Sequence, residues 1–199
     1  MRDEPGAVVI LNGAPRSGKT SIARAIQQRR PGSWLNLGVD NHMAMLPEAL
    51  LPGIGLRPGS DRPDLQPLVP KLYAALYDAV AAFAGQGFHV VMDVGHHDGD
   101  ILRDCLRRLE GLTVMLVGVR CPIDQIMARR ERDTDGRHVP SGAPVPEPVL
   151  LWERHVHDPG IYDLEVDTAA LRPEDAADII GAQLDKGLPK PTVRARLLA

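Results

Sequence analysis

Short apolar runs alternate along this chain with longer stretches whose apolar positions recur at helical spacing, the sequence form of a parallel α/β sheet. Strand-like runs fall at 7–12, 34–39, 88–94, 113–119 and 162–166. The third and fourth contain Val90-Val91-Met92 and Val114-Met115-Leu116-Val117. They are apolar at consecutive positions, so both faces of those strands are expected under helices. Helices are predicted over 21–30, 41–50, 69–85, 101–109, 123–130, 147–157 and 173–185. The last opens on Pro173 followed by Glu174 and Asp175, which suits a helix N-terminus on both backbone and dipole grounds.

Two segments interrupt the alternation. Residues 51–70 are rich in Pro and Gly, and residues 132–148 are polar and then Pro-rich, after an Arg-dense helix. Long irregular connections inside compact domains are more often functional than incidental. From Gly187 onward two prolines and two arginines suggest a poorly ordered tail, 187–199. No repeat and no linker composition divides the rest, so a single domain over 1–186 is the economical reading.

Composition narrows the class without naming it. A chain of 199 residues with 44% hydrophobic and 25% charged residues suits one globular domain with a sizeable core. Its formal net charge of −3 gives no long-range attraction to nucleic acid or to an anionic membrane, so neither is expected as a partner. The charged opening Met1-Arg2-Asp3-Glu4-Pro5 does not read as a signal peptide, and no apolar run approaches the length of a membrane span. Cys105 and Cys121 form no CxxC motif and read as small core residues, so a reducing, cytoplasmic setting is expected. Assembly into a homo-oligomer is left open.

Chemistry enters with Gly13-Ala14-Pro15-Arg16-Ser17-Gly18-Lys19-Thr20, two glycines flanking four free positions before Lys-Thr. This is the spacing of a Walker A phosphate loop. The glycines let successive N–H groups turn toward phosphate oxygens, the lysine reaches the β- and γ-phosphates, and the threonine hydroxyl can ligate Mg²⁺. A strand-like run before the loop and a helical run after it supply the context such a cradle needs, with phosphates at a helix N-terminus. ATP and Mg²⁺ are the cofactors this pattern predicts. No Asn-Lys-x-Asp guanine-reading motif is present, which argues against a GTP switch.

Phosphoryl transfer also needs a metal carboxylate, positive charge over the moving group and a positioner for the acceptor. Asp93 ends an apolar strand, at the end where open α/β sheets bind ligands. It reads as a Mg²⁺ ligand, or alternatively as a helix cap. Asp40 reads as a carboxylate that could take an acceptor proton, or as the N-cap of a following helix. Arg120, Arg129, Arg130, Arg132 and Arg137 cluster around the fourth strand and the segment after it. Some of them belong to a solvated helix face, while one or two could neutralise charge in the transition state. Asn41, His42 and His96 follow cleft-facing strand ends and are candidates for acceptor contact. The adjacent pair His96-His97 lacks metal-ligand spacing.

The chain resembles the chloramphenicol phosphotransferases. Gly13 to Thr20, Gly38-Val39-Asp40, Val117-Gly118-Val119-Arg120-Cys121 and Tyr162-Asp163-Leu164-Glu165-Val166-Asp167-Thr168 occur in that family's order. The likeness runs from about residue 8 to 180, and its later two stretches are more discriminating than the phosphate loop. It implies a three-layer α/β/α P-loop fold similar to shikimate and nucleoside-monophosphate kinases, with a five-stranded parallel sheet of order 2-3-1-4-5. It implies ATP-dependent phosphorylation of a primary hydroxyl on an antibiotic, with Asp40 as general base and with Arg130 and Arg137 in a lid spanning about 129–146. Two departures stand out. Met92 replaces a second carboxylate, and Thr134-Asp135-Gly136-Arg137 replaces an Arg-Gly-Asp-Arg run. Between Leu51 and Pro70 almost nothing aligns, so the reaction type transfers better than the acceptor. A metabolic small-molecule kinase and an ATP-binding regulator with little turnover are the competing readings.

Overall fold

The computed structural model describes residues 4–50, 63–132, 140 and 142–199. Five strands form one sheet: β1 (Val8–Asn12), β2 (Trp34–Asn36), β3 (His89–Val94), β4 (Val114–Arg120) and β5 (Leu164–Asp167). Their order is β2-β3-β1-β4-β5, every pair parallel, as the family resemblance implies. The helices are α1 (Lys19–Arg29), α2 (Val39–Met43), α3 (Val69–Gly85), α4 (Gly99–Arg108), α5 (Ile123–Glu131), α6 (Glu147–His155), α7 (Pro173–Lys186) and α8 (Val193–Leu197). Among the described residues no helix is long and apolar enough to cross a membrane.

The central strand shows why the sheet is covered on both sides. Val8 and Ile10 enter a core built with Tyr73, Leu76 and Tyr77 of α3 and with Leu102 and Leu106 of α4. Val9 and Leu11, pointing the other way, pack with Ile22 and Ile26 of α1 and with Ala176, Ala177 and Ile180 of α7. All four strand residues are fully buried. At about 1.5–3 kcal/mol for each large apolar side chain removed from water, a strand of this kind is held by packing on two faces. Register then aligns the strand ends: Leu11 stands beside Asp93, and Asn12 lies between Val94 and Gly118.

Three expectations are corrected. The second strand stops at Asn36, not Val39, and residues 39–43 wind into α2. The helix expected over 41–50 is divided, with α2 ending at Met43 and a separate 3-10 turn at Glu48–Leu50 just after Pro47. The tail expected to be poorly ordered carries α8, which docks on the sheet's α3/α4 side. Val193 is buried there, and its N–H donates to Asp163 Oδ1 at 2.8 Å. Arg196 donates to the Tyr162 carbonyl at 2.6 Å, and Arg194 pairs with Glu110 at 2.7 Å. Composition missed this because those partners are distant in sequence. Most of the irregular 51–70 segment, residues 51–62, lies outside the described residues. Residues 63–68 form a 3-10 turn leading into α3.

Candidate active site

β1 runs directly into the phosphate loop, and α1 begins at Lys19, so the loop is held between a buried strand and a helix N-terminus. The turn requires left-handed backbone at Gly18 (φ +100°), and Arg16 also sits at positive φ (+72°). A Cβ on Gly18 would also lie 3.3 Å from Thr168 Cγ2. Lys19 is buried, with its Nζ donating to the Ala14 carbonyl at 2.9 Å and lying 3.7 Å from Asp93 Oδ1. Burial lowers the pKa of its ammonium, and the negative charges of Asp93 and then Asp40 oppose that shift. Thr20 is exposed, and its hydroxyl donates to Asp93 Oδ2 at 2.5 Å.

The two carboxylates whose charge reaches Lys19 come from different elements, Asp93 from β3 and Asp40 from α2. The Leu37 N–H donates to the Val91 carbonyl, and Gly38 then passes so close to β3 that a Cβ there would lie 3.0 Å from the Asp93 carbonyl oxygen. That close approach brings the first turn of α2, and exposed Asp40 within it, to the site. The N-cap of α2 is Gly38, with no side-chain cap, so Asp40 does not serve as the cap. Neither does Asp93 cap the next helix: Asp98 caps α4 by accepting from the Asp100 N–H at 2.7 Å.

The arginines divide. Arg129 on α5 braces the phosphate loop, donating to the Arg16 carbonyl at 2.9 Å and to the Thr168 carbonyl at 3.0 Å. Thr168 continues the brace by donating its hydroxyl to the Ser17 carbonyl at 2.7 Å. Arg120 is occupied elsewhere, pairing with Glu165 at 2.6 Å. Arg130 is half-buried in the last turn of α5, and Arg132 is exposed just beyond it. Arg137 lies outside the described residues.

Of the candidate acceptor contacts, Asn41 is exposed and its amide donates to the Asn36 carbonyl at 3.1 Å. His42 lines a small, open apolar cleft with Val39, Met43, Val69, Leu72, Tyr73 and Leu76. His96 does not stand on the cleft surface. It is buried behind Tyr73, with Nε2 hydrogen-bonded to the Tyr77 hydroxyl at 2.8 Å. Burial, aided by neighbouring His97, pushes its pKa down to about 3, so the ring is neutral. Its adjacency to a strand end suggested exposure, but flanking tyrosines on α3 enclose it.

Sequence reasoning gave no role to Asn12, Trp152 or Thr168. The available signal for Asn12 was a polar residue closing an otherwise apolar strand immediately before the loop. Among the described residues no three His, Cys, Asp or Glu side chains gather as a metal centre. The adjacent Thr20 and Asp93 oxygens fit Mg²⁺, which commonly takes few protein ligands and completes its shell with phosphate and water.

Known proteins resemble this chain in sequence and in fold. A Mycobacterium tuberculosis protein named "Putative O-phosphotransferase" is 30% identical over 179 residues, covering 83% of this chain and 76% of its own. Among solved structures, shikimate kinase from Acinetobacter baumannii in complex with shikimate superposes with a TM-score of 0.62 at 14% identity, covering 94% of this chain and 97% of its own. The Deinococcus radiodurans tunicamycin resistance protein gives 0.59 at 20% identity, covering 94% and 99%. These distant structures share the fold. Residues 6–185, nearly the whole chain, match the family described as "Chloramphenicol phosphotransferase-like protein", and the chain belongs to that family.

Proposed function

We propose that the protein is an ATP-dependent kinase that moves the γ-phosphoryl group to a hydroxyl of a small molecule, in the manner of a chloramphenicol 3-O-phosphotransferase. The observation that carries this reading is the convergence of Lys19, Thr20, Asp93 and Asp40 at the mouth of one phosphate loop. In it, the loop amides and Lys19 hold the phosphates, while Thr20 and Asp93 would hold Mg²⁺, which would supply positive charge to offset that of the phosphates. The acceptor oxygen forms a bond to phosphorus as the bond to the departing ADP oxygen breaks, and Asp40 takes the hydroxyl proton. Arg130, and Arg137 by the family resemblance, neutralise charge on the transferring group.

The apolar cleft beside α2 favours an acceptor with an uncharged, apolar body next to its hydroxyl. His42 of α2 is among its lining residues. The test is incubation with ATP, Mg²⁺ and chloramphenicol, with the product identified by mass. A phosphorylated drug and stoichiometric ADP are expected. ADP release stimulated only by other hydroxylated compounds would move the protein to a metabolic acceptor. ATP binding without stimulation by any of a broad panel would overturn the kinase reading.

A further inference from the structure

Asn12 closes β1 immediately before Gly13, and only 2% of it is exposed. Its carboxamide is fully used. Oδ1 accepts from the His96 N–H at 2.6 Å, and Nδ2 donates to the Val156 carbonyl at 2.7 Å and to the Tyr162 hydroxyl at 3.0 Å. These partners lie on three separate segments: the loop following Asp93, the end of α6, and the approach to β5. The Tyr162 hydroxyl lies 2.7 Å from His157 Nδ1. Burial, with a further push from Arg120, lowers the His157 pKa to about 4, so at neutral pH this nitrogen can accept the tyrosine proton. The hydroxyl thereby keeps its oxygen free to receive from Asn12.

The loop after Asp93 is gripped from its other side as well. A Cβ on Gly95 would stand 2.7 Å from the Trp152 ring of α6, so α6 packs directly on that backbone. Ala14 of the phosphate loop shares the same apolar cluster with Trp152. Asp93 is thus one strand residue away from a short loop fixed by Asn12 and Trp152 together.

We propose that Asn12 is a positioning residue for the metal carboxylate: its carboxamide joins the root of the phosphate loop to the His96 backbone and to α6, and so sets Asp93 against Thr20. The chemistry of the position is specific. Aspartate would present oxygen where Val156 and Tyr162 require two donors, and alanine would leave the buried His96 N–H and Val156 carbonyl without these partners. The proposal rests on the Mg²⁺-nucleotide reading of the site.

The test is calorimetric titration of ATP with and without Mg²⁺, in the unchanged protein and in Asn12→Ala, Asn12→Ser and Asp93→Asn. Two Asn12 variants are made so that a folded one is in hand, its fold checked by a cooperative melt. Outer-shell groups commonly contribute about 10–100-fold to metal affinity. The folded Asn12 variant is therefore expected to lose about 10-fold of the Mg²⁺ enhancement while metal-free ATP affinity changes less than about 3-fold. Adding Asp93→Asn to it should cost little more, because both act through one carboxylate. A folded Asn12 variant with the full Mg²⁺ enhancement, or with equal losses in both titrations, overturns the positioning role. No Mg²⁺-dependent ATP binding in the unchanged protein overturns the functional reading beneath it.

Discussion

At the scale of single residues, Lys19 concentrates the site's electrostatics. Its ammonium is buried, lies 3.7 Å from Asp93 and experiences the field of Asp40, so it joins phosphate holding to both carboxylates. Lys19→Ala removes that cation and leaves the Asp93 carboxylate without it. The expected outcome is a folded protein with no measurable phosphoryl transfer, followed as ADP release in the presence of acceptor. Near-normal turnover would mean the loop does not hold the transferred phosphate. Asp40 makes a sharper distinction, because it stands exposed on α2 and does not cap it. Asp40→Asn keeps shape and removes basicity. Turnover should fall roughly 10²-fold, the usual contribution of a general base, while ATP affinity stays within about 2-fold. Lost ATP affinity with intact acceptor chemistry would assign Asp40 to the donor side.

At the scale of elements, α8 shows what composition cannot report. The Val193 N–H donates to Asp163 Oδ1, and Asp163 Oδ2 accepts from the Leu116 N–H of β4 at 3.0 Å, so one enclosed carboxylate ties the tail to the sheet. Truncation after Leu188 uncovers part of the α3/α4 core and removes one of those donors. Loss of about 2–4 kcal/mol is expected from the apolar exposure and the unpaired carboxylate oxygen, read as a lowered urea midpoint. An unchanged midpoint would return the tail to an ornamental role. The same contrast explains what was legible beforehand. β1, β3 and β4 declared themselves because short runs rich in Val and other apolar residues suit a strand covered on both faces. The phosphate loop declared itself because its chemistry is contiguous. The early end of β2 was hidden because it depends on Gly38 meeting the β3 backbone, and Asn12 was hidden because its partner Val156 is 144 residues away.

At the scale of the whole molecule, the side of the sheet carrying α3 encloses neutral histidine as part of its packing, which couples global stability to pH. His96 is buried between Tyr73 and Tyr77, and its pKa in the fold is about 3, against about 6.5 for an exposed imidazole. Between those values the unfolded chain binds a proton that the folded chain refuses. Acid therefore favours unfolding, and the stability contributed by neutral His96 is complete above pH 6.5 and declines as pH falls toward 3. His97 and His157 are also held low by burial, so they act in the same direction. One fully linked proton lowers stability by about 1.4 kcal/mol per pH unit. The exposed carboxylates Asp175, Asp178 and Asp185, lowered by their arginine partners, add acid sensitivity only in the range below their ordinary pKa. Urea midpoints measured from pH 7.5 to 4.5 should thus begin to fall near pH 6.5, before those carboxylates titrate. His96→Gln keeps an amide near the Tyr77 hydroxyl and cannot titrate, so its midpoint should fall less steeply by about one proton's worth. Identical slopes in the two proteins would show that His96 is accessible to protons in the fold, and that the enclosure seen around it does not govern stability.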